Sequence, residues 1–189
     1  MLFYLKYIFA NLLFYRHAQK DPVIEADVNH NTLERRKKGT DKPYRKKFIH
    51  LMIYYPEFSQ IFFWRIHSNN WLWRWLFLKS FSCKIFKSTK IAGGLVCFHP
   101  YASVINAKAI GENFVFRNSL TIGNKSNDNN QLPVIGNNVE VGANVVIIGD
   151  ITVGNNVTIG AGSVVVKDIP DNCVVAGNPA RVLYTINHD

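Results

Sequence analysis

A mainly β fold, a parallel β-solenoid preceded by an α-helical region, is what this 189-residue chain predicts. Three observations predict it. In IGNNVEVGANVVIIGDITVGNNVTIGAGSVVV, the aliphatic residues Ile135, Val141, Ile147, Val153, Ile159 and Val165 recur every sixth position. Glycine follows four of them directly, at Gly136, Gly142, Gly154 and Gly160. A second small or apolar residue stands two positions before most of them: Val139, Val145, Ile151, Val157 and Ser163. A helix would scatter every sixth residue over three directions and leave no apolar face. A strand keeps such residues on one face, but a run this long, interrupted by Gly and Asn, is no single strand. A coil that turns a corner about once per hexad satisfies both constraints, with residues two apart pointing inward. The glycines and the pairs Asn137-Asn138 and Asn155-Asn156 then fall at corners, where left-handed backbone angles cost them little.

From the N-terminus, residues 1–84 read as a mostly helical region. MLFYLKYIFANLLFY is apolar, but Lys6 sits in its middle and no clear cleavage site follows. It is also shorter than the roughly 20 apolar residues of a spanning helix. The net charge of +9 is unevenly placed: between Arg35 and Lys47 stand eight Lys or Arg against Asp41 alone. The segments YYPEFSQIFFWRIHSNN and WLWRWLFLKSF follow, read as two short helices separated by Ser68-Asn69-Asn70. Basic residues beside aromatics suit a solvated helical cap on the first coil or peripheral contact with an anionic membrane, and both readings stand. Nucleic acid is set aside, because no nucleic-acid motif accompanies the charge. The cysteines Cys83, Cys97 and Cys173 form neither a CxxC pair nor an even disulfide set. A cytoplasmic chain is expected, at most peripheral at the inner face of the membrane.

Residues 85–172 carry the solenoid, and residues 173–189 read as a C-terminal tail. Upstream the register continues through Phe98, Val104, Ile110, Phe116 and Ile122. From Ile122 to Ile135 the step is thirteen, one more than two hexads. The polar stretch between reads as a loop thrown out of one corner, a frequent seat of function. His99 follows Phe98 at a corner position otherwise taken by Gly, so it should point outward. Imidazole titrates near neutrality and is suited to accept a hydroxyl proton. His17, His30, His50 and His67 lie outside the solenoid, and His188 lies in the tail. Ala143 and Ala161 are eighteen residues apart, one coil of three hexads, and should stack at one corner.

The hexads, the ejected loop and the ending AGSVVVKDIPDNCVVAGNPARVL together resemble the left-handed β-helix acyltransferases, over roughly Lys84 to Leu183. The resemblance is to the serine acetyltransferase-like branch, which includes saccharide O-acetyltransferases. It implies left-handed coiling, a homotrimer, acetyl-CoA as co-substrate in the groove between subunits, and no metal. His99, in GGLVCFHPYASVINAKAIG, then matches the catalytic base. The adjacent segment RNSLTIG directs attention to Asn118 or Ser119 as the oxyanion donor. Gly142-Ala143 and Gly160-Ala161 match positions whose backbone holds the pantetheine arm. Lys167 and Arg181 match basic groups near the CoA phosphates and adenine. A zinc site of the β-helix carbonic anhydrase type would need three histidines, and only His99 lies in the solenoid.

Departures from the serine acetyltransferase pattern bear on the acceptor. Those enzymes carry Asp immediately before the histidine, where Phe98 stands here, and Arg-His-Pro at the end of the ejected loop, where Gln131-Leu132-Pro133 stands. Their Asp fifteen residues upstream is matched by Lys84. A zwitterion would lose charged partners worth roughly 1.5–3 kcal/mol each. A neutral saccharide, free or lipid-linked, is therefore the expected acceptor, in surface-polysaccharide assembly. A backbone carbonyl or a residue of a neighbouring subunit would then orient the His99 ring. Serine O-acetylation and a non-catalytic β-helix scaffold are the alternatives.

Overall fold

The computed structural model describes residues 1–35, 42–68, 71–78, 82–126 and 128–186. The chain divides into a helical unit, Met1–Ser80 with Gly93–Val96, and a solenoid unit, Phe81–Ala92 with Cys97–Asp189.

In the helical unit, α1 (Leu2–Leu13) runs into a π-helical turn, Phe14–Ala18, followed by α2 (Pro22–Arg35), α3 (Tyr44–Tyr54), α4 (Pro56–Arg65) and α5 (Trp71–Phe77). Prolines open α2 and α4, where a missing N–H costs no helical bond. The Asp21 carboxylate accepts from the N–H groups of Val23 and Ile24, capping α2. The inner faces meet in an aromatic core around the buried Phe48, whose ring lies 5.1 Å from Phe62 and 5.6 Å from Phe14. Of the basic cluster, Arg36, Lys37 and Lys38 lie outside the described residues, while Arg45, Lys46 and Lys47 sit in the first turn of α3.

The same unit contains a buried ion pair. Asp27, only 1% exposed, accepts from Arg65 Nε at 2.9 Å and Nη2 at 3.1 Å, and from the Leu95 N–H at 2.7 Å. Asn31, one turn along α2, donates to the Leu95 carbonyl at 2.8 Å, and His30 Nδ1 lies 2.6 Å from the Gly94 carbonyl. Burial pushes the Asp27 carboxyl up from its ordinary pKa, while Arg65 and the backbone N–H groups pull it back.

Every parallel rung of the solenoid is short. One sheet stacks Lys84–Ile85, Val104–Ile105, Thr121–Gly123, Val146–Ile148 and Val164–Val165; a second stacks Lys90–Ile91, Ala109–Ile110, Val134–Ile135 and Thr152–Val153. The third runs from Val96–Cys97 through Val115–Phe116, Glu140–Val141 and Thr158–Ile159 to Cys173–Gly177. Ile135 pairs with Val153, Val141 with Ile159 and Ile147 with Val165, so three hexads make one coil. Val139, Val145, Val157 and Ser163 are buried beside the aliphatic rungs, as the pattern requires.

The corners differ from expectation in one respect. Asn138, Asn144, Asn156 and Asn172 take left-handed angles, with φ between +54° and +58°, but Gly136, Gly142 and Gly154 do not. These glycines are required by close stacking instead. A Cβ on Gly142 would lie 2.6 Å from the Ala161 nitrogen, and one on Gly136 2.7 Å from the Gly154 carbonyl oxygen. The corner asparagines bond along the axis: Asn113 donates to Asn138 at 2.9 Å, Asn138 to Asn156 at 2.9 Å, and Asn156 to Asn172 at 2.7 Å.

Four further readings need correction. Val104 is 40% exposed, and the inward residue is Ile105, paired with Ile122. Likewise Cys97, not Phe98, is the buried residue before the His99 turn. The ejected loop is one long excursion: Ile110 pairs with Ile135 across twenty-five residues instead of eighteen, so seven extra residues lie within a single hexad. The segment expected as a tail continues the third sheet, with Cys173–Gly177 parallel to Thr158–Ile159 and Ala180–Thr185 folded back antiparallel.

Candidate active site

His99 begins a turn leaving the third sheet. Its side chain is exposed and its backbone is left-handed, φ +50°, as is that of Ala102, φ +53°. Pro100 disfavours the right-handed helical region for His99, and the His99 carbonyl accepts the Tyr101 N–H at 2.6 Å, which closes the turn. The Tyr101 carbonyl in turn accepts the Ser119 N–H at 2.8 Å. The buried Ser103 hydroxyl accepts the Leu120 N–H at 3.2 Å and donates to the Tyr101 carbonyl at 3.4 Å. The His99 turn is thereby fastened to Asn118-Ser119, one coil further on.

The same corner continues. The Asn118 carbonyl accepts the Asn144 N–H at 3.0 Å, and the Ala143 carbonyl accepts the Gly162 N–H at 2.8 Å. His99, Asn118-Ser119, Ala143 and Ala161 thus form one column. At the usual spacing between strands it is about 14 Å tall. Ala143 is half-buried and Ala161 exposed, so the column turns small side chains outward at these two coils. Because the Ser119 N–H is committed to Tyr101, an oxyanion donor from this pair must come from the Asn118 amides or the Ser119 hydroxyl; the latter two side chains lie 3.5 Å apart.

Charge is placed differently from a zwitterion site. Arg117 lies over the Phe98 ring at 5.2 Å and 3.5 Å from Glu140, so an aromatic face under a guanidinium occupies the position beside His99. Lys84 Nζ sits 4.4 Å from the Phe86 ring. Gln131 donates to Asp128 within the ejected loop at 3.0 Å. Arg181 stands opposite Ala176, which lies one coil above Gly160, at the far end of the column. Lys167 is not brought there: it follows Val164–Val165, at the next corner.

Tyr101 and Ser103 were not singled out from sequence. The available signal was a hydroxyl in an inward slot otherwise aliphatic, two residues before Ile105. Ser163, two before Val165, repeats it beside the same corner, donating to the Gly160 carbonyl at 2.5 Å and accepting the Gly177 N–H at 3.3 Å.

Residues 133–167 match the family described as bacterial transferase hexapeptide (six repeats). Over 103 residues, 54% of this chain, the sequence is 50% identical to WcaB of Escherichia coli (strain K12), assigned as a colanic acid biosynthesis acetyltransferase. That match spans 64% of WcaB's length. The chain is 37% identical over 107 residues to serine acetyltransferase 1, chloroplastic, of Arabidopsis thaliana, covering 56% of this chain and 34% of that protein. The crystal structure of serine acetyltransferase (CysE) from Neisseria gonorrhoeae superposes with a TM-score of 0.70 at 25% identity, over 92% of this chain and 69% of that one. The solenoid is therefore a left-handed parallel β-helix, with the hand that the family resemblance implies.

Proposed function

We propose that this chain, a hexapeptide-repeat protein of the serine acetyltransferase-like branch, is an acetyl-CoA-dependent O-acetyltransferase acting on a saccharide hydroxyl. The observation that carries the reading is the single corner that fastens the His99 turn to Asn118-Ser119 and continues through Ala143 to Ala161. An exposed imidazole at one end of a column with small side chains suits a pantetheine arm laid along the corner and an acetyl thioester attacked at its tip.

His99 takes the proton of the acceptor hydroxyl as its oxygen attacks the thioester carbonyl. Asn118 and Ser119 donate to the oxygen that becomes negative in the tetrahedral intermediate. Collapse expels the CoA thiolate, which takes the proton back from the imidazolium. The acyl group arrives activated, so no metal is needed. Gly142-Ala143 and Gly160-Ala161 hold the pantetheine arm, and Arg181, at the far end of the column, meets the phosphate and adenine end. Three copies around a three-fold axis complete the grooves. This is supported by the outer face of the first sheet, where Val104, Thr121, Val146 and Val164 stand in one uncharged row. The protein works in the cytoplasm. Replacing Ala161 by Trp is expected to raise KM for acetyl-CoA by about tenfold or more; an unchanged KM would move the groove elsewhere.

The acceptor reading rests on Phe98, Lys84 and Gln131-Leu132, which leave a zwitterion without charged partners, and on WcaB's assignment to colanic acid. The serine acetyltransferase superposition favours serine as the second reading. An acceptor screen with acetyl-CoA, following free thiol, separates the two. Turnover of neutral saccharides, or of a lipid-linked saccharide, is expected. Turnover of L-serine with kcat/KM above about 10⁴ M⁻¹s⁻¹ would restore the amino acid.

A further inference from the structure

We infer that α1 is a membrane-docking helix that lies in the surface of an anionic phospholipid bilayer. This goes beyond the acetyl-transfer reading and does not rest on it. The sequence directed attention to the Arg35–Lys47 cluster and the WLWRWLFL run, and the structure moves it to the first twelve helical residues.

α1 is apolar on both sides. Its inner side supplies Ala10 and Leu13 to the core, followed by Phe14 of the π-helical turn. Its outer side carries Tyr4, Ile8 and Leu12, spaced four apart, and continues to Tyr15; these are 73%, 61%, 51% and 55% exposed. A helix that is apolar all round is normally buried in protein or in lipid, and a contiguous exposed stripe of this kind marks an interaction surface. The helix is about 18 Å long at the usual rise per residue, well short of a bilayer's hydrocarbon core. Among the described residues no helix is long and apolar enough to cross a membrane. Such a helix lies on the surface, with tyrosines at headgroup level.

The charge around the stripe selects the occupant. No acidic residue occurs from Met1 to Lys20, while Lys6, Arg16 and Lys20 do. Phe3 and Tyr7 of α1 share a cleft with Lys42, Arg45 and Lys46, and among the described residues no acidic side chain lines it. Arg45 is held there, donating to Asn11 Oδ1 at 2.8 and 2.6 Å and lying 5.4 Å from the Tyr15 ring centroid. A second copy docking through this face would set the same cations against each other in a chain already at +9. An anionic lipid surface offers the opposite charge and an apolar layer for the stripe.

The test is flotation of the full-length protein with phosphatidylcholine vesicles, with or without about 30 mol% phosphatidylglycerol. Co-flotation is expected only with the anionic vesicles, weakening as salt is raised. Ile8→Glu with Leu12→Glu should reduce the bound fraction roughly tenfold, and so should Lys42→Glu with Lys46→Glu. All four positions are solvent-facing, and far-UV circular dichroism checks that each variant is folded. No flotation, equal flotation on neutral vesicles, or binding indifferent to the Ile8/Leu12 pair would each overturn the inference. So would light scattering in which the Ile8/Leu12 pair halves the mass of a protein that never floats, since the stripe would then be a self-association surface.

Discussion

Replacing His99 by alanine is expected to lower kcat by roughly 10²–10⁴, the range for loss of a general base, with CoA binding kept. His99 is exposed at the end of the corner column, so its side chain supports no core packing whose loss could explain the effect. Its backbone, however, is left-handed at φ +50°, where alanine is strained. His99→Asn is therefore the better variant, because asparagine tolerates that conformation and keeps the turn that presents Tyr101 to Ser119. Both variants should lose kcat alike, while calorimetric titration with CoA gives an affinity near that of the parent. If either retains more than about half the parent kcat, His99 is not the base.

The second large effect lies in the helical unit. Asp27→Ala is expected to destabilise it by about 3–5 kcal/mol, because the Arg65 guanidinium would lose a buried carboxylate that meets it at two nitrogens. The Leu95 N–H would lose its acceptor in the same step. Urea unfolding followed by the helical far-UV signal measures the loss. Replacing both partners, Asp27→Leu with Arg65→Met, should cost far less than Asp27→Ala alone, since an apolar pair leaves no stranded charge. A single-variant loss below about 1 kcal/mol would show that the pair is not what holds Gly93–Val96 in this unit.

Legibility in the sequence follows the range of the interactions. From Ile135 to Val165 each inward residue repeats its neighbour's environment six positions on, so the local pattern and the coil coincide. Around His99 they separate: Val104-Ile105 offers two adjacent aliphatics, and the six-step count selects the wrong one because the turn carries extra residues. Ile85 pairs with Ile105 and Ile91 with Ile110, twenty and nineteen residues apart, and no count of six anticipates either. The role of Gly142 was hidden for another reason, since closeness to Ala161 is a property of two coils together. The Asp27–Arg65 pair spans thirty-eight residues without periodicity. In sequence, Asp27 and Asn31 look like an ordinary wet face of α2.

The excursion between Gly123 and Val134 separates two jobs that most folds entangle. Seven additional residues leave the helix at one corner, yet Thr121 still pairs with Val146, and the next coil resumes its eighteen-residue step. Each coil is bonded only to the one before and the one after, so a disturbance in one rung is not passed along the stack. Lengthening such a loop is cheap, about 0.6 kcal/mol for each doubling. A lineage could therefore rewrite this appendage by insertion and deletion while the coils on either side stayed intact. An engineer could do the same by transplanting loops between members of the fold.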